Sequence, residues 1–199
     1  MKLSPNVRYF IAGKTQSGKT YLSKEWLQGM NNRIIYDIKR EYGDLGATIH
    51  TLPQLQRAFL SGCHKVVYQP LDASPEHFDQ VCKFIFERLK NIMFVVDEVH
   101  KYCSKHSIPY FFNNIITISQ GLQKIGVMAI SQRPANVHND IISQASVRVS
   151  FRMDFEDDAD KMAKFIRVQK EDIMNLPKRH FIIYNDLDFE HPVKKFKPV

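Results

Sequence analysis

Eight residues near the start of the chain, Gly13-Lys14-Thr15-Gln16-Ser17-Gly18-Lys19-Thr20, place flexibility, a cation and a hydroxyl at fixed spacing. Glycine, four residues, glycine, lysine and a hydroxyl amino acid form the phosphate-loop (Walker A) pattern. To wrap a phosphate chain, successive backbone N–H groups must converge, and glycine permits this by taking positive φ and lacking a Cβ. A helix starting directly afterwards turns its unpaired donors and positive dipole end on the same anion. Lys19 is then placed to reach the β- and γ-phosphates, and the Thr20 hydroxyl to bind Mg²⁺. The apolar run over residues 7–12 reads as a strand and residues 20–28 as a helix, the context the pattern requires. The expected ligand is a nucleoside triphosphate, ATP, with Mg²⁺.

A second group lies at "NIMFVVDEVHKY", where five apolar residues run into Asp97 and Glu98. Two carboxylates at the end of a buried strand are costly unless a cation or a water network receives them. Asp97 suits Mg²⁺, held through its water shell. Glu98 points elsewhere and can polarise a water towards the γ-phosphate. A phosphate loop with such a pair implies hydrolysis. Third, the strand in "GVMAISQRP" ends in Gln132, whose amide can hydrogen-bond the γ-phosphate or the attacking water.

These groups need a scaffold that brings strand ends together. Strand-like runs cover residues 7–12, 33–37, 65–69, 92–97, 127–131, 147–153 and 181–185. Helix-like segments cover 20–28, 52–60, 75–90, 109–124 and 156–168. In the third of these, Phe78, Val81, Cys82, Ile85, Phe86 and Leu89 recur at helical spacing, after Ser74 as N-cap and Pro75 at the first turn. Strands apolar on both faces and separated by helices predict an α/β fold with a mostly parallel sheet covered on both sides. Chemistry in such sheets lies at the carboxyl ends of the strands.

The 199 residues, 44% of them hydrophobic, suffice for one domain with a full core, expected over 1–185. A basic tail over 186–199 carries Lys194, Lys195 and Lys197 beside Phe196. The net charge of +7 favours anionic partners such as nucleic acid or a membrane surface. No apolar run approaches the length of a bilayer span, and "MKLSPNVRYF" does not read as a signal peptide. Three unpaired cysteines, Cys63, Cys82 and Cys103, suit a reducing compartment. His100, Cys103 and His106 lack a fourth ligand and read as surface residues, not a zinc site.

Together these motifs resemble the HerA/FtsK superfamily of nucleic-acid-pumping ATPases over roughly residues 7–185. The likeness includes "YDIKREYG", where Asp37, Glu41 and Tyr42 match a family aspartate and glutamate-aromatic pair. It also includes "MAKFIRVQKEDIMNLPKRHFIIY", similar to the family's closing helix, turn and last strand. The resemblance implies a P-loop NTPase core of the RecA-like (ASCE) type. With neither an N-terminal barrel nor membrane spans, the chain looks most like the genome-packaging ATPases of membrane-containing icosahedral viruses. That likeness implies a hexameric or pentameric ring moving double-stranded DNA into a preformed capsid. Capsid or membrane proteins would be further partners, and the host cytoplasm or virion vertex the location.

The family also implies an arginine acting on a neighbour's ATP. Arg148 matches by strand position, with Arg152 and Arg133 behind it; Gln123 and Lys124 stand where the family often has an arginine. Lys101 and Lys105 are candidates for touching DNA in the pore. The alternatives are a single-stranded DNA export ATPase of filamentous-phage (zonula occludens toxin-like) type, a virion assembly factor without translocation, and a small-molecule kinase.

Overall fold

The structure, a computed structural model, describes residues 6–121 and 123–196. Nine strands are present: β1 (Arg8–Ala12), β2 (Arg33–Tyr36), β3 (Ala47–Ile49), β4 (Lys65–Tyr68), β5 (Ile92–Val96), β6 (Ile125–Ser131), β7 (Val147–Phe151), β8 (Phe181–Asn185) and β9 (Val193–Phe196). They form one sheet in the order β3-β4-β2-β5-β6-β1-β7-β8-β9. The pairings from β3 through β7 are parallel, and β8 and β9 close one edge antiparallel. The helices are α1 (Lys19–Leu27), α2 (Leu52–Leu60), α3 (Pro75–Arg88), α4 (Tyr110–Thr117), α5 (Asn139–Ser143), α6 (Glu156–Ile166) and α7 (Lys170–Met174).

Alternate residues of the central strands feed two cores. Phe10, Ile34, Phe94 and Val127 face α3, α4 and α6, while Ile11, Ile35, Val95 and Met128 face α1 and the 42–45 turn. Every residue of β1, β2, β5, β6 and β7 is buried, as expected of parallel strands covered on both sides. Local signals set the helix starts. The Ser74 hydroxyl accepts the His77 N–H at 3.2 Å with Pro75 in the first turn, and Thr51 with Gln54 forms a capping box before α2.

Some elements differ from the sequence expectation. Helix α4 ends at Thr117, because after Ile118 the Ser119 hydroxyl bonds back to the Ile115 carbonyl at 2.6 Å and the chain leads into β6. Strand β3 is only three residues long and follows Gly46, whose missing side chain lets the backbone pass β4: an added Cβ would lie 2.4 Å from the Lys65 carbonyl oxygen. The basic C-terminal segment also joins the sheet. In β9, Lys195 reaches Asp172 at 2.8 Å, Lys194 pairs with Asp188 at 2.5 Å and Phe196 stacks on Phe181. Lys197 lies outside the described residues.

Candidate nucleotide-binding site

Strand β6 separates β1, which leads into the phosphate loop, from β5, which leads into Asp97 and Glu98. The carboxyl ends of all three therefore meet, and β6 adds Gln132 between them. The loop is tied to both of its neighbours. The Gly13 N–H donates to the Ser131 carbonyl at 3.3 Å, and the Lys14 N–H to the Arg152 carbonyl at 3.1 Å. Gly13 at φ +157° and Gly18 at φ +116° lie where side chains are strained, and both pack against Phe151.

The Lys19 ammonium donates to the Gly13 and Lys14 carbonyls, each at 2.8 Å, which points it into the loop. Burial draws it down to about 8; Lys39 adds to the shift, and Asp97 and Glu41 oppose it. The buried Ser17 hydroxyl has no hydrogen-bond partner. A buried ammonium and an unpartnered hydroxyl on one loop are donors that a phosphate chain can take up.

Asp97 is 2% exposed and its Oδ2 is without a partner. Burial pushes its carboxyl up to about 6, against the pull of Lys39 and Lys19 and with Glu41 and Asp37 adding. Thr20 Oγ1 donates to Glu41 Oε2 at 2.9 Å in the same cluster. A buried carboxylate with a spare oxygen near a hydroxyl fits a hard divalent cation such as Mg²⁺. Among the described residues no group of three or more His, Cys, Asp or Glu side chains makes a metal cage, so phosphate and water oxygens would complete such a shell. Asp37 has a supporting role. Its carboxylate accepts the N–H groups of Glu41 and Tyr42, both at 3.0 Å, and the Gln69 amide at 3.1 Å, which fixes the turn that carries Glu41.

Glu98 is also 2% exposed and sits at φ 54°, in a left-handed turn. The Gln132 amide donates to Glu98 Oε1 at 2.5 Å, while Gln132 Oε1 accepts the Thr15 hydroxyl at 2.7 Å. Gln132 therefore joins the loop to Glu98. The Lys39 ammonium pairs with the same Glu98 oxygen. His100 Nδ1 lies 3.3 Å from Glu98 Oε2 and 3.1 Å from Ser131 Oγ. Burial and the surrounding cations Lys101, Lys39, Arg133 and Lys19 draw the imidazole down to about 4, so it is neutral at physiological pH. Lys39 and His100 escaped the sequence analysis as members of this site; a polar residue just past a strand's carboxyl end was the available signal for each.

Arg148, expected to act on a neighbour's ATP, is engaged within its own chain. Its guanidinium donates to the carbonyls of Ile142 (2.9 Å), Ser143 (2.9 Å) and Phe165 (3.2 Å), pairs with Asp186 at 3.1 Å and lies over the Tyr184 ring. Only 10% of the side chain is exposed, and its bonds tie α5, α6 and β8 together. Arg152 and Arg133 stand at the rim of the site with nearly half of each side chain exposed, paired with Asp154 and Asp158. Lys101 and Lys105 are exposed, as Lys101 ends the turn after Glu98 and Lys105 follows it. Beside the loop opens a groove of about 590 Å³, lined by Lys14, Arg152, Lys178, Arg179 and the exposed Phe155.

No family model matches the chain, and no curated protein does. Solved structures do. The genome-packaging NTPase B204 of Sulfolobus turreted icosahedral virus 2, in complex with ATP-gammaS, superposes with a TM-score of 0.79 at 20% identity, covering 99% of this chain and 100% of that one. B204 of Sulfolobus turreted icosahedral virus, described as a DNA-packaging ATPase, gives 0.77 at 20% identity, with 99% and 100% covered. VirB4 of Thermoanaerobacter pseudethanolicus gives 0.68 at 11% identity over 96% of this chain and 89% of its own. The fold is that of P-loop ATPases, as the sequence resemblance implies. No helix among the described residues is long and apolar enough to cross a membrane.

Proposed function

We propose that this protein is an ATP-hydrolysing motor that packages viral double-stranded DNA into a preformed capsid, working as a ring of subunits in the host cytoplasm or at the virion vertex. One observation carries the reading: loop 13–20, Asp97, Glu98 and Gln132 converge at one end of a sheet that B204 shares along nearly its whole length. The phosphates lie in the loop under Lys19, and the nucleoside in the groove by Phe155. Thr20 and Asp97 would hold Mg²⁺, which would supply positive charge to offset that of the phosphates. Glu98 accepts a proton from the water that attacks the γ-phosphorus, and Gln132 aligns that water or a γ-oxygen. The bond from the γ-phosphorus to its bridging oxygen breaks, leaving ADP and phosphate.

An arginine from the adjoining subunit would stabilise transition-state charge. With Arg148 turned inward, that role passes to an exposed arginine, Arg152 or Arg133. Loops facing the ring's centre, with Lys101 and Lys105 among them, would grip DNA phosphates without reading bases.

Steady-state ATP hydrolysis, with and without double-stranded DNA at low and moderate salt, tests this. Strong stimulation that fades with salt supports a DNA motor, because phosphate contacts release counterions. Hydrolysis indifferent to DNA refutes it and points to an assembly factor. Absence of hydrolysis refutes the enzyme itself.

A further inference from the structure

Lys14 and Lys19 belong to the phosphate loop, but a third lysine of the site, Lys39, does not. Lys39 stands just beyond β2, the strand beside β5, and its ammonium pairs with Glu98 Oε1, the group that must accept a proton. It lies close enough to Lys19, Asp97 and His100 to perturb each of them electrostatically. The backbone under it is held, since Arg40 takes φ 59° and the Asp37 carboxylate receives the next two N–H groups. The side chain is not held in the same way: 32% of it is exposed, against 2% for Glu98. The freedom in this pair therefore belongs to the lysine.

A buried carboxylate paired with an ammonium is a poor base, because the cation stabilises its charged form. Gln132 already donates to the same oxygen, so Glu98 Oε1 has two donors and Oε2 no hydrogen-bond partner. An arriving anion of higher charge would compete for the mobile ammonium. A terminal γ-phosphate is such an anion at the place where Lys19, Asp97 and Glu98 converge; ADP has no group there.

We propose that Lys39 distinguishes triphosphate from diphosphate: its ammonium is shared between Glu98 and the γ-phosphate, and its transfer to the phosphate frees Glu98 to act on water. This rests on the nucleotide-hydrolysis reading of the site. Lys39 thereby makes the base available only when there is a bond to cleave. A purely structural Lys39–Glu98 pair would instead affect folding and treat both nucleotides alike.

The test is equilibrium binding of ATPγS and of ADP, each with Mg²⁺, to the full chain and four variants. Lys39→Gln should weaken ATPγS tenfold or more and leave ADP within twofold. Glu98→Gln should tighten ATPγS, because the lysine no longer has a competing partner. The gain should vanish in the Lys39→Gln/Glu98→Gln double variant, which leaves no unpaired carboxylate at position 98 and so remains testable if Lys39→Gln does not fold. Equal losses for both nucleotides, no loss for either, or a Glu98→Gln gain that survives in the double variant each overturn the proposal. Lys19→Ala separates this from the parent reading. Loss of both nucleotides there upholds the phosphate loop, whereas unchanged binding of both overturns the loop and the Lys39 proposal with it.

Discussion

Replacing Gly13 by alanine measures how tightly the phosphate loop is built against the sheet. An added Cβ would lie 2.5 Å from Phe151 Cβ and 2.8 Å from Ser17 Oγ, at φ +157°. Carbon atoms rest about 3.5–4.0 Å apart, so relief of about an ångström is needed. Phe151 cannot supply it, being fully buried at the end of a strand paired on both sides. Positive φ costs an L-residue about 1–2 kcal/mol, and overpacking a core about 1–3 kcal/mol. The sum is about 2–5 kcal/mol. Gly62, at φ +81° with nothing within 4 Å, isolates the backbone cost of about 1–2 kcal/mol. Gly18, at φ +116° with a Phe151 ring carbon at 3.1 Å, falls between. At about 2–4 °C per kcal/mol for a chain of this size, Gly13→Ala should lose on the order of 10 °C in Tm, and Gly62→Ala about 2–8 °C. Thermal unfolding gives the order of stability, and equilibrium ATPγS binding should fall for Gly13→Ala and Gly18→Ala only. A Gly62→Ala loss equal to that of Gly13→Ala would refute the contact argument. A Gly13→Ala protein that melts and binds normally would refute the packing of the loop itself.

Three further outcomes follow from the site. Glu98→Gln should retain ATP binding and lose at least about 10²-fold in turnover, the usual weight of a positioned base; single-turnover hydrolysis near the wild-type rate would remove Glu98 from that role. Asp97 has its folded-state carboxyl raised from 3.8 to about 6, so its ionisation costs nothing below about pH 4 and up to about 3 kcal/mol at neutral pH. Without nucleotide or metal, Asp97→Asn should therefore melt about 6–12 °C higher at pH 7.5 and little differently at pH 4; a lower Tm at pH 7.5 would contradict this. Arg148→Ala should cost about 1–3 kcal/mol, the scale for leaving buried carbonyls without their donor. Mixing it with Lys19→Ala subunits should not restore hydrolysis, and rescue would show that the guanidinium acts between molecules after all.

The phosphate loop was legible because all its parts are adjacent in sequence, and Asp97, Glu98 and Gln132 were placed by the strands they terminate. A strand end states where a residue emerges, and parallel pairing brings neighbouring ends together. The contacts of Arg148 were not legible, because its position on β7 is local information and its direction is not. The carbonyls of Ile142, Ser143 and Phe165 and the carboxylate of Asp186 draw it inward, and nothing around residue 148 announces them. Lys39 was overlooked for the same reason, since its partner is on another strand's exit turn. Strand β9, with two lysines in four residues, has no apolar alternation to mark it.

That last strand affects how the protein can be handled. A fragment cut at Asn185, where the sequence alone suggests the core ends, would strip β9 from β8 and leave an apolar strand with open hydrogen-bonding groups at the sheet's border. Such borders pair with any strand they meet, including copies of themselves, whereas the lysines of β9 discourage this. Sizing experiments on that fragment would report self-association from adhesive edges rather than from a working assembly. Ring formation is therefore best measured on the uncut chain, with any purification tag at its amino end.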